Sequence, residues 1–205
     1  MVDTKELYLD GKLVGEYAAT GDDHKDKELA IALLREKGLY QQTTLEQAMF
    51  RQAVSFATTA SYLYTRDLTT VPRNGLSVAP FVVNSAFALE LYLKTLGQLY
   101  NKQMRGHDLL DLFDALPLEA HQALQRNFVK STWQCGITEL ADFRKTLEDM
   151  RRAFVEWRYL HETGRAGEIR FAPMIFVMEV LHEVCRASDK VRPKLEEATG
   201  EKPSA

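Results

Sequence analysis

The sequence predicts an all-α fold: an up-and-down helical bundle of four to five long helices, preceded by a small N-terminal β-hairpin plus helix. Three observations predict it. Long segments repeat apolar residues three and four apart, as amphipathic helices do. No strand pattern follows residue 20. Capping and stop signals bracket several of the periodic segments.

In chain order, Leu7-YLDGKLVGEY reads as a β-hairpin, with Asp10-Gly11 as a two-residue turn that favours positive φ. A lone hairpin is marginal in water and must pack on something. Asp22 and Asp23 offer an N-cap to a helix over about 25–37, and Gly38 is its stop. Residues 1–40 thus form an appendage, 43–190 a helical bundle and 191–205 a charged tail. Thr43 with Glu46, or Thr44 with Gln47, makes a capping box for a helix running to about Tyr64. A polar loop covers 66–78. Pro80 suits the first position of the next helix, which ends near Tyr100 and carries the stripe Val82, Ala86, Leu89, Leu93 and Leu96. A short helix follows His107, and another spans about Leu118 to Phe128. The longest is expected from about Ile137 to His161, with Leu140, Phe143, Leu147, Met150, Phe154, Trp157 and His161 on one seam. The last runs over about 173–187.

The bulk numbers exclude several classes. Apolar content is 45%, charged content 27% and net charge −3, so no general basic coat for nucleic acid is present. Cys135 and Cys185 make no disulfide framework, and a reducing cytoplasm fits them. The N-terminus is charged and unlike a signal peptide. No apolar run approaches the ~20 residues of a membrane span, so no membrane partner is expected. There is no glycine-rich phosphate loop, nucleophile elbow or dinucleotide fingerprint. His182 and Cys185 form only half of a metal set, so neither metal nor cofactor is expected.

Three segments plant polar side chains inside apolar helical patterns: Asn84-SAFALELYLKTL, Gly106-HDLLDLFDALP and Trp157-RYLHE. Buried without partners, such groups are costly, so Glu90, Lys94, His107, Arg158 and His161 are expected to meet. Glu90 and Lys94, four apart with Glu first, are either a surface ion pair or an internal pair positioning a neighbouring helix. His107 either holds a helix start or acts on a ligand. Arg158 and His161 lie three apart. An arginine to hold phosphate and a histidine to move protons suffice for metal-independent cleavage of a phosphodiester. The alternative is that Arg158 caps carbonyls or pairs with Glu90, while Tyr159 and His161 fill core. Arg151, seven residues before Arg158, either widens a phosphate-binding strip or forms a solvated charge pair with Arg152.

With these residues the chain resembles the HEPN family, the higher-eukaryote and prokaryote nucleotide-binding helical domains. The resemblance rests on Ala86-xxx-Glu90-xxx-Lys94, on Gly106-His107-Asp108-Leu109 with Leu112 and Phe113, and on Phe154-xx-Trp157-Arg158-Tyr159, in that order over about 43–190. It implies a bundle of four to five helices, often dimeric, linked to RNA as a metal-independent ribonuclease or as an RNA- or nucleotide-binding module in toxin–antitoxin and phage-defence systems. Catalytic members carry Arg, four to six residues, then His. Here Arg158 and His161 are separated by two residues, and Arg152 and His161 by eight. Three functions follow. One is a non-catalytic HEPN-like module binding RNA, a nucleotide or a protein partner. The second is a dimeric endoribonuclease with a variant Arg158/His161 site. The third is a structural or regulatory interaction protein docked through the appendage.

Overall fold

A computed structural model describes residues 3–9, 11–40, 42–131, 135–158 and 169–192. The chain is mostly helical, with seven α-helices and one two-stranded hairpin among the described residues. It divides into two compact units that part between Thr43 and Thr44.

The first unit is a ββα arrangement. Strands β1 (Thr4–Leu9) and β2 (Lys12–Ala18) pair antiparallel, from Thr4 opposite Ala18 to Leu9 opposite Lys12. The register shifts between Leu7 and Tyr8, which face Gly15 and Leu13, so Val14 is an extra residue on β2. Gly11 in the connection has φ +76°, the region that a two-residue turn needs; Asp10 lies outside the described residues. Helix α1 (Asp23–Glu36) starts where the Asp22 carboxylate accepts the N–H groups of His24 and Lys25. It packs on β2, where a Cβ at Gly15 would sit 3.3 Å from the Leu33 side chain. Asp26 is buried. It accepts from Lys5 Nζ at 2.8 Å and from Thr20 N and Oγ1 at 2.7 Å each, and these bonds hold its carboxyl down at about 2.

The second unit opens with α2 (Leu45–Leu63). The capping box is the Thr44/Gln47 alternative: Thr44 N donates to Gln47 Oε1 (3.1 Å) and Gln47 N to Thr44 Oγ1 (3.3 Å). Gln47 Nε2 also donates to the carbonyl of Arg192 at 2.6 Å. A π-turn over Tyr64–Leu68 follows, then a 3₁₀ turn over Gly75–Ser77. Next come α3 (Val78–Leu99), α4 (Leu109–Asp114), α5 (Leu118–Phe128), α6 (Leu140–Arg158) and α7 (Phe171–Arg186). Helix α3 is central and touches α2, α4, α6 and α7. Its stripe Val82, Ala86, Leu89, Leu93 and Leu96 is buried. Phe143 on α6 is fully buried and stacks on Phe113 and Phe128, tying α4 and α5 to α6.

Four sequence expectations need correction. Helix α3 begins at Val78, two residues before Pro80. The cause is tertiary: buried Asp67 takes the Arg66 guanidinium and the Ser77 hydroxyl, and Asn74 caps Leu76, so the 3₁₀ turn feeds straight into α3. Helix α6 begins at Leu140 rather than near Ile137, because Ile137 packs against the core from the loop after Gly136, whose φ is +78°. Helix α7 begins at Phe171, which packs edge-on against Phe81. Finally, the 25-residue stretch Gly75–Leu99 is by length and composition apolar enough to cross a membrane. Its central residues Leu89, Leu93 and Leu96 are fully buried inside this unit, as a core helix requires.

Candidate functional site

Two of the three polar segments meet, Glu90 and Lys94 of the first with His107 of the second; of the third, Trp157 alone has a described side chain. Glu90 lies midway along α3, one turn before Lys94. A single oxygen, Glu90 Oε1, accepts from Lys94 Nζ at 2.7 Å and from His107 Nδ1 at 2.8 Å. Glu90 and Lys94 are only 14% and 18% exposed, so the internal-pair alternative describes them better than a solvated surface pair. His107 precedes α4 and is 84% exposed. Its bonded Nδ1 fixes the ring and leaves Nε2 to solvent. The next residue, Asp108, caps α4: Oδ1 accepts from Leu110 N (3.0 Å) and Asp111 N (3.3 Å). Its other oxygen, Oδ2, takes Arg151 Nε of α6 at 2.7 Å. The solvated Arg151–Arg152 pair therefore resolves into two separate contacts, since Arg152 bonds Asp149.

These groups border a cleft of about 470 Å³ between α3, α4 and α6, within the ~300–1,000 Å³ range of small-ligand sites. Ala86, Phe87, Leu109 and Phe154 give it an apolar wall; Glu90, His107, Asp108 and Arg151 supply its polar side. Phe87 and Phe154 meet edge-on at 5.9 Å, with Phe56 behind Phe87 at 5.4 Å. The ion pairs Glu90–Lys94 and Asp108–Arg151 cancel, and His107 adds a positive charge whenever it is protonated. The cleft thus offers aromatic rings beside guanidinium and imidazole donors.

Arg158 ends α6, but its side chain lies outside the described residues, as do Tyr159 and His161. Trp157 Nε1 is buried with no hydrogen-bond partner among the described residues. His182 and Cys185 serve the core. His182 Nδ1 is 3.0 Å from Tyr92 Oη, its ring stacks on Phe50, and Cys185 Sγ approaches the Tyr92 carbonyl at 3.7 Å. Among the described residues no three His, Cys, Asp or Glu side chains could hold a metal ion. Asp108 and Phe154 stood in the sequence motifs without being assigned to the site, and Phe87 was not assigned to it either. The signal for Asp108 was present, since an Asp immediately before the apolar pair Leu109-Leu110 is a helix N-cap. Its pairing with Arg151, 43 positions on, left no local signal. No family model matches the chain, and neither a curated protein nor a solved structure matches it.

Proposed function

We propose that the second unit is a HEPN-like up-and-down bundle that binds RNA or a nucleotide without cleaving it. On this reading it acts in the cytoplasm, as a homodimer, in a bacterial defence or toxin–antitoxin setting. The observation that carries the reading is the cleft in which Glu90 holds His107 and Asp108 holds Arg151 beside Phe87 and Phe154. Guanidinium and imidazole N–H groups suit a phosphate, and an aromatic face suits a base, each stacked base contributing about 1–3 kcal/mol. The non-catalytic half of the reading draws on the spacing of Arg158 and His161, which departs from that of the catalytic members.

The test is fluorescence anisotropy with a labelled single-stranded RNA oligonucleotide, and calorimetry with adenosine and guanosine nucleotides. Binding by the wild type is expected to weaken at least about tenfold in Arg151→Ala and Phe87→Ala, as loss of a charge-assisted or stacking contact implies. No binding of any of these ligands by folded protein, or binding that both substitutions leave unchanged, would overturn the reading.

A further inference from the structure

The ββα unit carries an inference independent of the cleft. Among its described residues the one buried side chain is Asp26; every apolar side chain is half-buried or exposed, with Tyr8 and Leu13 more than half exposed. A two-stranded sheet is marginal alone, and three or more strands are needed for independent stability. Helix α1 packs on β2 and is tied to β1 by the Asp26–Lys5 bond, and each strand of the two-stranded sheet is an edge.

The two sheet edges differ. Natural edges are guarded by bulges and by free charges. The edge of β2 has both: Val14 is the extra residue of a register shift, and Lys12 and Glu16 are exposed without an ion-pair partner among the described residues. The edge of β1 has neither. Its six residues include no Gly and no Pro. Its two charges each have a partner within the unit, Lys5 with the Asp26 carboxylate at 2.8 Å and Glu6 with the exposed Tyr8 hydroxyl at 2.6 Å.

We propose that β1 pairs antiparallel with β1 of a second copy of this chain, giving a four-stranded sheet about a two-fold axis at Leu7. Antiparallel pairing of a strand with itself is the isologous contact that a two-fold dimer needs. In this register Glu6 lies opposite Tyr8 of the second copy. The carboxylate–hydroxyl bond that joins these residues within one strand is then available between strands, so the edge is complementary to itself. Leu7 meets Leu7, and the half-buried apolar side chains gain cover.

The test uses the full chain. Wild-type protein is expected to sediment as a dimer at micromolar concentration, and Tyr8→Lys to return it to monomer with unchanged helix content. In a Cys135→Ser background, Glu6→Cys and Tyr8→Cys are made separately. Directly opposed residues have Cβ atoms about 4.5–5.5 Å apart, close to the ~3.5–4.5 Å of a disulfide. The two variants mixed under mild oxidation are expected to give several-fold more covalent dimer than either alone, because residue 6 faces residue 8 and not itself. A monomeric wild type, a dimer that survives Tyr8→Lys, or cross-linking no greater in the mixture would each overturn the proposal.

Discussion

The hydroxyl of Tyr92 and Nδ1 of His182 lie 3.0 Å apart, bridging α3 to α7 across 90 residues of sequence. Burial lowers the pKa of the His182 imidazole from its ordinary 6.5, with Arg186 adding to the effect and Glu183 and Glu179 opposing it. Burial also pushes the Tyr92 hydroxyl up, so the phenol remains protonated. Because the folded value lies below the unfolded one, the unfolded chain binds the proton first, and stability is lost as pH falls below about 6.5. Urea unfolding at pH 7.5 and 5.5 should show the lower stability at 5.5, and His182→Phe should shrink the difference. Tyr92→Phe should cost about 1 kcal/mol at neutral pH through the lost hydrogen bond.

Glu90→Gln should destabilise the protein by about 1–3 kcal/mol, since it leaves the largely buried Lys94 ammonium without its counter-charge. Lys94→Met added to Glu90→Gln should recover part of that loss. A double-mutant cycle measured by denaturant unfolding reads the coupling, and additive costs would show that the pair is not linked.

Asp67 should mark the acid limit of the helical unit. The Arg66 guanidinium and then the Ser77 hydroxyl hold its carboxyl down at about 2, against an ordinary 3.8. A folded value below the unfolded one means stability is present above pH 3.8 and lost as pH falls from there towards 2. Asp67→Asn should lower the neutral-pH melting temperature and flatten the acid-unfolding curve followed by circular dichroism.

Phe143→Ala should cost about 3–5 kcal/mol, because it removes a fully buried ring between Phe113 and Phe128. Gly97→Ala should cost about 1–3 kcal/mol by overpacking, since the added methyl meets Met104 and approaches the Lys102 carbonyl at 3.0 Å. Thermal melts of both variants check this, and a Gly97→Ala protein as stable as wild type would mean that Met104 moves aside freely.

Incubation of labelled total RNA with purified protein in EDTA should yield no cleavage, and Arg158→Ala and His161→Ala should behave like wild type. Cleavage lost in both variants would replace the binding reading with the metal-independent ribonuclease.

Local chemistry was legible where local interactions decide the outcome. The hairpin turn at Gly11, the Asp22 cap, the Thr44/Gln47 box and helix α5 all follow from groups within four residues of each other. The start of α3 was not legible from Pro80, because Asp67 fixes it from ten residues upstream. The meeting of Glu90 with His107 was expected from the cost of burying unpaired polar groups, and the contact itself spans 17 residues. The Asp108–Arg151 pair depends on α4 docking against α6, which no periodicity encodes.

The bond from Gln47 to the Arg192 carbonyl holds the first turn of the helical unit against its last described residue. The two ends of this unit are therefore neighbours, which is the condition for circular permutation. A short linker from Arg192 back to Thr44, with new termini opened at exposed Gln103 between α3 and α4, should give a permuted unit with the same core. The same closeness makes Thr44–Arg192 a cassette that can be seated in the loop of a host protein without stretching either end.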